Sequence, residues 1–202
     1  MAKKSNRNTR GRIVSAAWKL FYEQGYEDTT VEEIIELSGT SKGSFYHYFD
    51  GKDALLSTLS SLFDEKYEEL TGLLTPEMTA MEQLLFLNRE LFHMIEDSIS
   101  LDLLARLYST QLTTNGEKHL LDHNRTYYKL LRKIIAKGQS EGQLSSRSNV
   151  NEMVKLYALC ERALLYDWCL CAGEYALTEY SAKVLPGFLS SLKVYILLVI
   201  LF

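Results

Sequence analysis

The chain has 202 residues, 47% hydrophobic and 24% charged, a composition ordinary for a folded globular protein and outside the collagen-like, disordered and disulfide-scaffold ranges. Two prolines, against roughly 5% in an average protein, leave helices almost uninterrupted and point to an all-α fold. A formal charge of −4 argues by itself against a nucleic-acid partner, but the charge is unevenly spread: residues 1–12 carry five basic side chains (Lys3, Lys4, Arg7, Arg10, Arg12) and no acidic one, whereas residues 53–202 carry 14 basic against 19 acidic.

A first helix is expected over Arg10–Glu23, where Ile13, Ala17, Leu20 and Phe21 recur at helical spacing, Val14 and Trp18 widen the stripe, and Gly25 follows at a usual stop. Thr30 stands three residues before Glu33 in a capping-box pattern, opening a two-turn helix with Val31, Ile34 and Ile35 that ends at Ser38-Gly39. After a tight Gly39-Thr40 turn, Ser41 caps a third short helix whose buried face is Phe45 and Phe49. Two short helices joined by a glycine-containing turn are a helix-turn-helix signature, here over about residues 30–49. Trp18, Phe21, Ile34, Phe45 and Phe49 make the core of this three-helix head.

A longer linking helix starts between Asp50 and Asp53 and runs to about Gly72, with Leu55, Leu59, Leu62 and Phe63 inward. Beyond Pro76, helices are predicted over 79–97, 98–113, 117–141, 149–172 and from 177 to the end, about nine in all. Breaks fall at Asn115-Gly116, at 138–148 and at Gly173, with a kink or short break at Pro186-Gly187. Leu156–Ala172 carries three charges in seventeen residues, so its helix must be buried on two sides. The apolar run Val194–Phe202 is far short of the roughly 20 residues that span a bilayer and reads as the end of a buried helix or a tail, so no membrane partner is expected. No signal peptide is recognisable, and three clustered cysteines (Cys160, Cys169, Cys171) lack redox or zinc spacing, which fits the cytoplasm. His119 and His123 stand four apart on one expected helix, but no further ligand sits at motif spacing, and no metal, cofactor or enzyme motif is expected.

The segment T-V-E-E-I-I-E-L-S-G-T-S-K-G-S-F-Y-H-Y-F-D-G-K, residues 30–52, resembles the DNA-binding segment of the TetR family of bacterial transcriptional regulators. Gly39, Ser41, Gly43, Phe45, Tyr46, Phe49 and Lys52 match the family pattern, while Tyr48 stands where many members have histidine, with His47 one place earlier. The resemblance covers about the first 65 residues. It implies a DNA-binding head over 1–52 and a ligand-binding and dimerisation domain over 53–202, beginning with the linking helix. A recognition helix needs small or polar residues in its first turn, and Thr40, Ser41, Lys42, Gly43 and Ser44 qualify. By the resemblance Tyr46 and His47 bond phosphates, and Thr30 and Lys52 grip the backbone at helix starts. The basic arm then reads as phosphate-binding or as reaching the adjacent minor groove.

The family likeness further implies a homodimer on a double-stranded palindromic operator, a four-helix dimer interface from the last two helices, and a small-molecule effector. Phe63, Tyr67, Phe86, Phe92, Tyr108, Tyr127 and Trp168 are the candidate lining of its cavity, which suggests an apolar or aromatic ligand; Glu90 or Glu161 would favour a cationic one if either lay inside. The expected function is a ligand-responsive regulator, a repressor, and the alternative is a DNA-bound factor of the same fold acting on a protein partner rather than on transcription.

Overall fold

The computed structural model describes residues 2–113 and 118–192, so Val194–Phe202 and Asn115-Gly116 lie outside the described residues. What is described is all-helical: α1 (Ala2–Gln24), α2 (Val31–Ser38), α3 (Lys42–Tyr48), α4 (Lys52–Leu56), α5 (Leu59–Thr71), α6 (Ala80–Ser98), α7 (Leu101–Thr113), α8 (Thr126–Ser140), α9 (Val150–Leu170) and α10 (Leu177–Phe188), with 3-10 turns at His119–Leu121 and Leu189–Leu192. Among the described residues no helix is long and apolar enough to cross a membrane. The chain divides into two compact units, Met1–Leu62 with Ser100–Leu121, and Phe63–Ile99 with Asp122–Phe202. The first therefore extends past the expected boundary at residue 52 and takes in α4 and α7.

In the first unit α1 packs on α2 and α3, and Ile13, Ala17, Phe21, Ile34, Phe45 and Phe49 are buried as expected. Trp18 is only half-buried, because its indole N–H reaches the Thr58 hydroxyl at 2.8 Å at the edge of that core. α1 begins at Ala2 rather than Arg10, so the backbone of the basic arm is helical; nothing between Ala2 and Arg10 breaks a helix. The single linking helix is instead two. The hydroxyls of Ser57, Thr58 and Ser60 turn back to the carbonyls of Ala54, Leu55 and Ser57 at 2.6–2.7 Å, competing with the helical ladder where α4 ends and α5 begins. Of its expected inward residues, Leu55, Leu59 and Phe63 are buried but Leu62 is 39% exposed.

In the second unit α6 packs against α8 and α10, and α9 against α8 and α10. Thr79 with Glu82, and Asn149 with Glu152, close capping boxes on α6 and α9. The Glu96 carboxylate of α6 accepts the N–H groups of Leu177 and Thr178 and caps α10. The helix expected over 117–141 is broken: Asp122 takes the Asn124 N–H on its side chain at 2.8 Å and the Arg125 N–H on its carbonyl at 3.2 Å, so α8 starts only at Thr126. His119 therefore lies in a 3-10 turn and His123 outside any helix, and among the described residues no group of three potential metal ligands exists. α10 continues through Pro186 to Phe188 before tightening into the 3-10 turn, so the interruption comes later than Pro186-Gly187 suggests. α9 buries one side, through Tyr157, Glu161, Leu164, Leu165 and Trp168, but Leu159, Tyr166 and Leu170 on the other are 47–66% exposed, so the single chain does not supply the two-sided burial expected.

Candidate functional site

The head is assembled by local chemistry. The Thr30 hydroxyl accepts the Glu33 N–H at 3.2 Å and the Glu33 carboxylate accepts the Thr30 N–H at 2.8 Å, closing the capping box of α2; that backbone bond, with a second from the Thr30 hydroxyl, holds the Glu33 carboxyl below its ordinary range. Gly39 sits in the left-handed region at φ 59°, which lets the chain reverse after α2. Arg12 closes this turn: its guanidinium donates to the carbonyls of Ser38 and Gly39, the exposed C-terminal end of α2. Ser41 then caps α3 by accepting the Ser44 N–H at 3.1 Å.

The result is a short helix with two unlike sides. Phe45 and Phe49 anchor it in the core, while Lys42, Gly43, Tyr46 and His47 are exposed, one helical turn apart in pairs. The Lys42 ammonium has only a 3.5 Å approach to Glu32, with both side chains about 70% exposed, and lies 6.0 Å from the Tyr46 ring. Thr40 and Ser44 are half-buried, their hydroxyls bonded to those of Ser38 and Ser41 at 2.8 and 2.9 Å.

Two expected contact residues are held differently. Lys52 donates to the carbonyls of Tyr26 and Glu27 at 2.7 and 3.2 Å, with its ammonium 4.3 Å from the Tyr26 ring. The Arg106 guanidinium of α7 stacks on the same ring at 4.9 Å and pairs with Glu27 and Asp102. The buried Tyr26 hydroxyl donates to Asp53; burial and that carboxylate push its pKa well up. In the basic arm Arg12 is committed to the α2 terminus, and Arg10 stacks on Phe49 at 5.5 Å.

Tyr67 and Tyr127 meet with ring centroids 5.0 Å apart; Phe63 and Phe92 are buried; Trp168 is buried and donates to the Tyr175 carbonyl at 2.9 Å; Phe86 is half-buried. Tyr108 belongs to the first unit, apart from the other six. What gathers the tyrosines is Glu161, 4% exposed. It accepts from the Tyr127 hydroxyl at 2.7 Å and the Asn88 amide at 3.0 Å, with Tyr67 at 3.5 Å. Ser181 in turn donates to Asn88, and Tyr157 donates to the Leu84 carbonyl at 2.8 Å. Desolvation pushes the Glu161 pKa up, against the pull of these hydrogen bonds. Glu90, by contrast, pairs with Arg89 on the surface. The sequence signal for this cluster is Glu161 as the charge on the Tyr157, Leu164, Trp168 face of α9, which is otherwise apolar there.

The profile for bacterial regulatory proteins of the tetR family matches residues 13–59. The regulator QacR of Staphylococcus aureus is 36% identical over 62 residues, 31% of this chain and 33% of that protein. Among the first curated relatives the chain spans only about a fifth to a third of their length. The fatty acid metabolism regulator protein of Bacillus subtilis aligns more fully, 23% identical over 90% of this chain and 94% of its own. Among solved structures, FadR of Thermus thermophilus, a TetR-family transcriptional repressor in complex with lauroyl-CoA, superposes with a TM-score of 0.75 at 25% identity, covering 92% of this chain and 96% of that one.

Proposed function

Since this chain belongs, by its amino-terminal domain, to the TetR family of bacterial regulators, we propose that it is a ligand-responsive DNA-binding transcriptional regulator, a cytoplasmic repressor and not an enzyme, released from a palindromic operator by a small molecule. The observation that carries this reading is α3: apolar anchors on one side, and Lys42, Gly43, Tyr46 and His47 exposed together on the other. That side enters the major groove, with Thr40, Ser41, Lys42, Gly43 and Ser44 near base edges and phosphates, and Tyr46 and His47 on phosphates. Thr30 reaches the backbone only by redirecting the hydrogen it gives Glu33. Lys52 must likewise leave the carbonyls of Tyr26 and Glu27, or else serve by fixing the turn before α2.

One seven-residue helix reads too few base pairs for a unique site, so the functional unit is a homodimer on two half-sites. The exposed apolar stripe of Leu159, Tyr166, Leu170, Tyr180 and Phe188 on α9 and α10 is the face on which such a pair would close. The effector belongs to the second unit, whose interior brings Tyr67 and Tyr127 together; the solved relative bound to lauroyl-CoA supports an effector with a large apolar part.

The test is selection of duplexes from a random-sequence pool, followed by anisotropy titration at fixed salt. Tyr46→Ala and Lys42→Ala are each expected to weaken binding to the selected palindrome by about 1–3 kcal/mol, with the dimer intact in sedimentation. No duplex bound at low salt, or wild-type affinity in both variants, would overturn the reading.

A further inference from the structure

Lys52 opens α4, just after the recognition helix, and its ammonium reaches back to the turn that precedes α2. It donates to the carbonyls of Tyr26 and Glu27 at 2.7 and 3.2 Å and stands 4.3 Å from the Tyr26 ring. Two of its three hydrogens are thus committed. The rest of the turn is held in the same way: the Thr29 hydroxyl donates to the Gly25 carbonyl at 2.7 Å and the Gln24 amide to the Asp28 carbonyl at 3.0 Å. Each carbonyl from Gly25 to Asp28 therefore accepts a side-chain donor. Thr29 and Gln24 belong to the turn and its edge, whereas Lys52 arrives from beyond α2 and α3.

This contact closes the helix-turn-helix into a loop. Arg12 fixes the inner corner, on the carbonyls of Ser38 and Gly39 between α2 and α3, and Lys52 ties the outer ends, the entry to α2 and the exit from α3. The local charge also disfavours a phosphate. Glu27, Asp28, Asp50 and Asp53 are exposed, each within two residues of Lys52 or of a carbonyl it holds. Arg106 offsets Glu27, but a phosphate approaching Lys52 would still meet the other three carboxylates. On α3, by contrast, Lys42 has a 3.5 Å approach to Glu32 with both side chains about 70% exposed, and its ammonium is available to a ligand.

We propose that Lys52 is a positioning residue for DNA recognition and not a phosphate contact: by joining the entry to α2 to the start of α4 it sets the pose of α3 in the groove, and it keeps its bonds to Tyr26 and Glu27 in the complex. This rests on the reading of the chain as a DNA-binding regulator and assigns one residue of its head. The two roles differ in what they change. A phosphate contact acts alike on every sequence and contributes to the salt slope, whereas a residue that aims α3 acts where base edges are read and releases no counterion.

The test compares the full-length protein with its Lys52→Met variant on the selected palindrome and on a scrambled duplex of the same length, at a temperature where circular dichroism shows both proteins folded. Lys52→Met is expected to lower the ratio of the two affinities by about fivefold or more, with the slope of log affinity against log salt unchanged within about 0.3. An equal loss on both duplexes with a slope reduced by about one is the signature of a phosphate contact. Parental affinity on both is that of a residue that only stabilises the head. Either result overturns the proposal. Should Lys52→Met not fold, acetylation of the unaltered protein with N-hydroxysuccinimide acetate, read by mass spectrometry, decides. Lys52 should react about fivefold or more slowly than Lys42 in the free protein, and adding the selected duplex should protect Lys42 and leave the Lys52 rate as it was. A Lys52 as reactive as Lys42, or one further protected by the duplex, overturns the assignment while the regulator stands. Absence of any bound duplex strikes the regulator reading and this assignment with it.

Discussion

Gly138 lies inside α8, where replacing glycine by alanine ordinarily stabilises a helix by about 0.8–1.0 kcal/mol. Its surroundings reverse that sign. A Cβ added there would lie 2.5 Å from the Cβ of Ala80, and 2.9 and 3.0 Å from Cδ1 and Cγ of Leu144. Leu144 can turn part of the way, but the Ala80 Cβ is fixed to the backbone at the start of α6. Restoring an ordinary carbon–carbon contact of about 3.5–4.0 Å moves that backbone by about 1 Å or more. The movement draws the Ala80 N–H off the Gln143 side chain, to which it donates at 2.6 Å. Overpacking of this kind costs about 1–3 kcal/mol, and with the strained hydrogen bond added and the helical gain subtracted, Gly138→Ala should lose about 1–2 kcal/mol. Urea unfolding at one protein concentration measures it as a lower midpoint at constant slope. Adding Ala80→Gly removes the hardest contact, so the double mutant should recover by about 1 kcal/mol relative to additivity. A Gly138→Ala protein as stable as its parent, or purely additive changes, would refute the close-approach argument.

Arg12→Met should cost the head about 1–2 kcal/mol through the lost bonds to Ser38 and Gly39. It should also weaken DNA binding without changing the salt slope, whereas Lys42→Ala lowers that slope by about one; a unit drop for Arg12→Met would return it to the phosphate-binding arm. For Glu161 the folded pKa is raised by desolvation, so the folded state holds the proton more tightly than the unfolded chain does. The stability this group contributes is complete below the unfolded value, near 4.5, and is lost as pH rises through the folded value. Tyr67, Tyr127, Tyr157 and Cys160 are the ionisable groups that interact with it, and Asp64 and Arg125, themselves ion-paired at 2.9 Å, act on Tyr67. Glu161→Gln should therefore gain on the parent as pH climbs from 4.5 toward 8 in thermal unfolding, and a constant difference across that range would contradict the assignment.

The elements that the sequence makes legible are those specified within a few residues of one another. Thr30 with Glu33, Ser41 with Ser44, and Gly39 between them act over three to five positions, and all appear as expected. Burial of Phe45 and Phe49 follows from the same spacing. What stayed hidden depends on partners distant in the chain. Arg12 looks like part of a basic arm until Ser38, 26 residues on, is found under it. Lys52 looks free until the Tyr26 carbonyl is seen beneath its ammonium. Glu161 could be named as a charge but not placed, because its surroundings come from Tyr67, Asn88 and Tyr127 on three other helices. The break at Ser57-Thr58 is an intermediate case: its hydroxyl bonds are local, but a leucine pattern running through it masks them.

The shared grip of Lys52 and Arg106 on Tyr26 has a mechanical meaning. Because Lys52 at the start of α4 and Arg106 of α7 hold one ring, α7 is tied to the turn that launches α2. α7 is a rod of thirteen residues, about 20 Å long. A tilt of a few degrees at one end displaces the other by about 1 Å, enough to spoil hydrogen-bond geometry at a base edge. A displacement of α7 would therefore be carried to the turn before α2 within the same compact unit.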